Sequence, residues 1–473
     1  MDERAVRFTS SMLVDKWLFE YDIMVDKVHV VMLKKQGIIS NDAASALLRS
    51  LEIIREKGYG SLNKDAEDVH IAIESTLIDM IGEEYGGMLH IGRSRNDEVA
   101  TCIRMAVREQ IVQLMAKVVK LKMTLLKKAA ENVETVIPGF THLQHAQPTT
   151  LAHHLLAHYD AMGRDFARLS NCFNRTNTCP LGAAAFASSG FPLDRDFVAA
   201  MLGFEGIVEN SMDAVSTRDY AIECLAALSN IMINISRIAE EFILWSTSEF
   251  GYVEINDKYA STSSIMPQKK NPDSLELVRA KTGSVVGDLT SVLTICKALP
   301  YSYNLDLQEV TVHLEAAMRN TIDSIAISTG VLDTIEFKIE RLNAESSTGF
   351  TTATELADTI VRRTKMPFRT AHAIVGELAR NGTVDLEALD AVSKKRCGKT
   401  LSSLGLTKED VARALDSHVS IKRRNVKGGP SPDEVSRMIN SRRVDVKKEN
   451  DEINALIQTL NKVYRNLENL IED

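Results

Sequence analysis

Proline is scarce in this chain of 473 residues: there are ten, none before Pro138, none between Pro192 and Pro267, and none between Pro300 and Pro367. Proline breaks helix interiors, so each gap leaves room for long, unbroken helices. Aromatic residues are also few, at 5%, while Leu, Ile, Ala, Met, Glu and Lys dominate, as helices prefer. The six cysteines are scattered with no C-x-x-C pair, which argues against a disulfide frame and for free thiols in a reducing compartment. There is no excess of positive charge. A net charge of -8 leaves no basic field for nucleic acid, although local lysines can still meet a small anion. The opening "MDERAVRFTS" has no apolar h-region, and no apolar run approaches the length expected to cross a bilayer. The expected setting is the cytoplasm, without a membrane partner.

What is present is helical periodicity. Val107, Ile111, Leu114, Val118, Leu121 and Leu125 step by four and three. Ala221, Cys224, Leu228, Ile231, Ile235, Ile238, Phe242 and Trp245 continue the step over a longer run. Ile453, Leu456, Leu460, Val463, Leu467 and Leu470 repeat it near the end. Seams of this length need other helices along their whole extent. No alternating pattern of comparable length is visible, so the expected class is all-α with a core of long bundled helices. Three regions are expected: shorter helices over residues 1–92, the long helices over 93–343, and shorter helices over 344–473.

Four polar stretches interrupt the pattern: "HIGRSRNDEVAT" (90–101), "PGFTHLQHAQPTT" (138–150), "STSSIMPQKKNPDSLELVRAK" (261–281) and "LPYSYNLDLQE" (299–309). Any one of them alone is most simply a helix cap: Asn96 or Asp97 for one helix, Thr149 or Thr150 for the next, Asn271 with Pro272 for a third. Together their chemistry is coherent. Arg93, Arg95, Asn96, Thr141, Lys269 and Asn271 are donors suited to carboxylate oxygens. The amides of "STSSIM" and a helix start add backbone N–H groups. Such donors suit proton removal next to a carboxylate, where a second negative charge develops in the transition state.

Other features are blander. His154 and His158 sit one helical turn apart in "HHLLAH" and could chelate zinc, but spacing places no third ligand, so packing or interface histidines are expected and no metal site. Glu276 and Arg279 could form a surface helix pair. "KRRNVK" is most simply a solvated loop.

"SSIMPQKKNPD" resembles the signature of the fumarase/aspartase superfamily of lyases, and its "QKKNPD" ending resembles the argininosuccinate lyase family. "HIGRSRNDEVAT", "GFTHLQHAQPTT", "PLGAAAFASSGFPLDR", "NSMDAVSTRDY", "YNLDLQE" and "GFTTATELADTIVRR" resemble that family in the family's order. The resemblance implies a three-domain helical subunit whose long helices assemble into a homotetramer with shared active sites. It implies reversible β-elimination of argininosuccinate to arginine and fumarate, in arginine biosynthesis, with no metal or organic cofactor. By resemblance, Ser263 is the catalytic base and His142 the general acid, with Glu276 as its charge partner. Lys269 and Asn271, helped by Thr141, Ser94 and Asn96, would hold the fumarate-side carboxylates. Ser11, Tyr303 and Gln308 would hold the arginine end. Three positions depart from the family pattern: Thr262 stands where glycine is usual, Thr311 where lysine is common, and Glu98 where glutamine is usual. The alternatives are a sister lyase acting on another succinyl-amine such as adenylosuccinate, and a non-catalytic helical scaffold.

Overall fold

The computed structural model describes residues 2–379 and 384–468. Its frame is helical. Phe19–Lys35 (α1), Asn41–Lys57 (α2) and Val69–Ile81 (α3) precede a 37-residue helix, Arg95–Glu131 (α4). Leu151–Thr176 (α5), Asp219–Trp245 (α6), Asp273–Cys296 (α7) and Gln308–Thr334 (α8) complete the long set. At 1.5 Å per residue α4 runs for about 55 Å. It packs against α1, α5 and α8. The periodic residues Val107, Ile111, Leu114, Val118, Leu121 and Leu125 are all fully buried, as is nearly all of the α6 seam from Ala221 to Phe242. Short helices over Ala353–Thr364 (α9), Phe368–Ala379 (α10), Leu386–Cys397 (α11) and Lys408–Leu415 (α12) surround a second core around Leu356, Ile360, Ile374 and Leu389. The last helix, Pro432–Glu468 (α13), returns to α4 and buries Ile453, Leu460, Val463 and Leu467. Leu470 lies outside the described residues.

Local chemistry sets the helix starts. Ser94 caps α4 and its Oγ accepts from Asn96 N, while Asp97 Oδ1 accepts from Ser94 N at 2.9 Å, closing a capping box. The cap is therefore Ser94, ahead of the Asn96 or Asp97 expected. Thr150 caps α5 by accepting from His153 N at 3.1 Å. At α7 the cap position is Pro272, and Asn271 is held in a strand pair instead.

Two sequence expectations are corrected. "PGFTHLQHAQPTT" is no loop: Val136–Thr141 (β1) and Gln144–Thr150 (β2) pair as an antiparallel hairpin. Prolines at 138 and 148 disguised it, because proline counts against a strand. Second, α6 carries an 18-residue window of mean hydropathy 1.3, long and apolar enough by composition to cross a membrane. In the fold 56% of that window is buried, and its apolar face lies against α5, α7 and α8.

Asp97 does more than cap. Its Oδ2 accepts from the backbone N–H groups of Gly182 and Ala184, each at 2.8 Å, so one carboxylate fastens α4 to the "PLGAAAF" loop. Asp97→Ala leaves these amides without their acceptor. A lost cap costs about 1 kcal/mol and each orphaned buried donor about 1–3 kcal/mol more. A fall in melting temperature of several degrees is expected by calorimetry, and an unchanged value would refute this role.

Candidate active site

The first cleft opens at the start of α4, with a volume of about 200 Å³. Ser94, Arg95 and Asn96 reach it from the helix start, Ser11 from the N-terminal segment, Tyr303 from the loop before α8, and Gln308 from the first residue of α8. Six of the expected binding residues thus share one wall system. The cleft also contains groups that sequence alone did not single out: Asp15, Glu67, Asp68, His70 and Arg218. Asp15 accepts from Ser11 Oγ at 2.6 Å and from Val69 N at 3.2 Å, and burial raises its pKa. Arg95 donates to Asp68 at 2.8 Å and Glu67 at 3.2 Å. Arg218 gives Nη1 to the carbonyls of Val215 and Thr217, while its buried Nε has no partner. Asn96 donates to Ala185 O at 3.0 Å, and Gln308 to Thr9 O at 3.1 Å. Three carboxylates beside hydroxyl and amide groups suit a ligand with a cationic end, and two arginines suit a ligand that also carries carboxylates. Asp15 could have been noticed as an acid four residues after Ser11. Arg218 lies in "NSMDAVSTRDY", where spacing alone assigns it no partner.

Arg93, expected to meet substrate carboxylates, faces inward. It is 7% exposed and pairs with Asp26 at 2.5 Å and Glu98 at 3.0 Å. His70 joins the same cluster, 2.8 Å from Asp22. The guanidinium is consumed by buried carboxylates, so Arg93 supports the cleft from below rather than lining it.

The second group is the hairpin tip. Thr141 pairs with Gln144, leaving His142 and Leu143 as a two-residue turn with φ of 55° and 58°. That turn normally takes Asn-Gly. Non-glycine residues held there cost on the order of 1–3 kcal/mol each, a strain that gathers at functional sites. The hairpin base holds it: Phe140 packs on Phe250 and Tyr252, and a Cβ on Gly139 would stand 2.4 Å from Gln147 O. His142 is thereby displayed to solvent. Thr141 borders a further cleft formed with Phe350, Thr351, Thr354 and Arg424. Arg424, read as part of a solvated loop, is half-buried and donates to Gln147 at 3.1 Å.

The third group is the serine loop. Ser261–Thr262 pairs with Lys270–Asn271, closing a short loop. Ser263 Oγ accepts from Met266 N at 3.1 Å and Ile265 N at 3.4 Å. Two amide donors on one hydroxyl oxygen stabilise negative charge there, which lowers the cost of using serine as a base. Lys269 Nζ donates to Asn271 Oδ1. Thr262 sits in an extended strand and is absent from the positive-φ residues, so a side chain in place of glycine brings no backbone strain. Glu276 is exposed on the first turn of α7. Neither His142 nor Ser263 lines the cleft at α4, and no hydrogen bond or ion pair joins Glu276 to His142 among the described residues.

A family profile described as lyase matches residues 1–287, and one described as argininosuccinate lyase C-terminal matches residues 350–422. The chain is 52% identical to the argininosuccinate lyases of Methanosarcina mazei and Methanosarcina acetivorans, over 100% of its length and 96% of theirs. It belongs to the argininosuccinate lyase family. The family member from Methanothrix thermoacetophila is 54% identical over 92% of this chain and 89% of its own. Among solved structures, EDDS lyase in complex with formate superposes with a TM-score of 0.90 at 31% identity, covering 97% of this chain and 92% of that one. A variant of that enzyme with bound fumarate gives 0.89. Thr311, where the family commonly has lysine, is buried on the cleft wall.

The cluster under this family's cleft is pH-sensitive. Burial raises Asp26 to about 7 and raises Glu98 as well, while the carboxylates around His70 raise its pKa. For all three the folded state holds protons that the unfolded chain has released, so their contribution is full at low pH; that of Asp26 and Glu98 is lost as pH rises through about 7, and His70 acts in the same direction. Glu98→Gln leaves two carboxylates against two cations. Between pH 5 and 8.5 the wild-type melting temperature is expected to fall, and the variant's to fall less. Parallel curves would show that Glu98 does not titrate there.

Proposed function

We infer that this chain is a lyase cleaving argininosuccinate reversibly to arginine and fumarate. The observation that carries this is identity over the whole chain to enzymes of that name. The cleft at α4 supports it, since Asp15 beside Ser11, Tyr303 and Gln308 suits a cationic end such as that of arginine. Ser263, as alkoxide, takes the proton beside a substrate carboxylate, with the amides of Ile265 and Met266 on its oxygen. Lys269, Asn271, Thr141, Ser94 and Asn96 hold the carboxylates as charge builds on them. The C–N bond then breaks, and His142, with Glu276 as charge partner, delivers a proton to the departing guanidine nitrogen. Ser11, Tyr303 and Gln308 hold the arginine end, and we add Asp15 to them.

Because these groups occupy separate places in one chain, we place the complete site between protomers of a homotetramer. The support is α7, which buries only Leu275, Val278, Val285 and Val292 of its 24 residues and exposes Leu277, Val286 and Leu293. Its free thiols suit a reducing compartment such as the cytoplasm.

Fumarate release, followed by ultraviolet absorbance, is expected from argininosuccinate and not from adenylosuccinate. Ser263→Ala and His142→Asn should each lower kcat by about 10²–10⁴ with the oligomer intact. Mixed oligomers of the two variants should regain activity. Near-normal turnover in Ser263→Ala would remove the proposed base. Asp15→Asn should raise KM more than it lowers kcat; the reverse would exclude a binding role.

A further inference from the structure

Two histidines on α5 that the reaction does not use converge with a glutamate from α6. His154 and His158 stand one turn apart, so both rings leave the same face of the helix. Their Nε2 atoms lie 2.7 Å and 2.8 Å from a single atom, Oε2 of Glu241. The three donor atoms fall within 4.8 Å of one another. Sequence spacing supplied two ligands and no third; the packing of α6 on α5 supplies it.

The surroundings hold the rings in place. Trp245, one turn beyond Glu241, lies against the His154 ring with centroids 5.0 Å apart, and the two imidazoles meet at 5.3 Å. The adjacent His153 is engaged elsewhere, with its ring nitrogens on Thr149 Oγ1 and Gly428 O. None of the three donors lines the cleft at α4.

We propose that His154, His158 and Glu241 bind a divalent zinc ion that joins α5 to α6. Two imidazole nitrogens with one carboxylate oxygen are a donor set that borderline transition ions take in preference to magnesium or calcium. Around tetrahedral zinc, with bonds of about 2.0–2.1 Å, donors stand about 3.3 Å apart. The present 2.7 Å and 2.8 Å separations are shorter than that, so the Glu241 carboxylate has to draw back to admit the ion between it and the two rings. The Glu241 and His154 side chains are 31% and 26% exposed, which gives the carboxylate room to move and leaves a path for the ion and for a water as fourth ligand. His158, at 10%, forms the inner wall. The role is structural: zinc raises thermal stability and leaves turnover unchanged.

The test uses the full chain, dialysed against chelator and then titrated with zinc chloride, with bound metal counted and thermal unfolding followed. One zinc per chain and a raised melting temperature are expected. Cobalt in its place should give the visible absorption bands of a tetrahedral site. A partner that merely supports a ligand is worth about 10–100-fold in affinity, so removing a ligand, as in His158→Phe or the isosteric Glu241→Gln, should weaken binding by about 100-fold or more. His153→Gln should leave it unchanged. If His158→Phe does not fold, Glu241→Gln decides alone. Absence of stoichiometric zinc binding by the wild type, or equal binding by Glu241→Gln, would overturn the proposal and leave a hydrogen-bonded His–Glu–His cluster.

Discussion

The candidate site depends on the buried charges beneath the start of α4. Arg93, His70, Asp22, Asp26 and Glu98 neutralise one another in a buried space that meets the cleft only at His70. Taking ions from water costs several kcal/mol each, and only close partners offset it. The arrangement therefore has little freedom. Directly after Arg93, Ser94 and Asp97 cap α4, and Asp97 ties in the loop at Gly182. Arg95 and Asn96, one and two residues further on, inherit that rigidity and face the cleft.

The remaining chemistry is mounted differently. His142 stands at the tip of a hairpin whose backbone is strained and whose base is locked by aromatic packing. Ser263 sits in an exposed loop closed by a two-residue strand pair and the Ser263 N–Lys269 O bond, with its oxygen already facing amide donors. One element is rigid and displayed, the other light and exposed. That division suits a loop that closes only when substrate carboxylates arrive, excluding water as charge develops.

Much of this was legible in the chain itself. The seams of α4 and α6 could be read because a buried helix face repeats every 3.6 residues whatever it packs against. Ser11, Ser94, Arg95, Asn96, Tyr303 and Gln308 could be named from their motifs, and they do meet at one cleft. Arg93 could not be told from Arg95: two residues apart on the chain, one points at buried carboxylates and the other at the cleft. The hairpin at 136–150 was hidden by its prolines, and Arg424 by the basic run around it.

By itself, the sequence determined the helical class, the length and period of the buried faces, and the inventory of polar groups, because these follow from local propensity and spacing. Only the tertiary structure decided which polar groups meet. Asp15 joins Ser11, Glu241 completes the His154 and His158 pair, and Arg93 turns away from the cleft. Such meetings depend on how distant helices pack, and desolvation then selects which charges must find a partner.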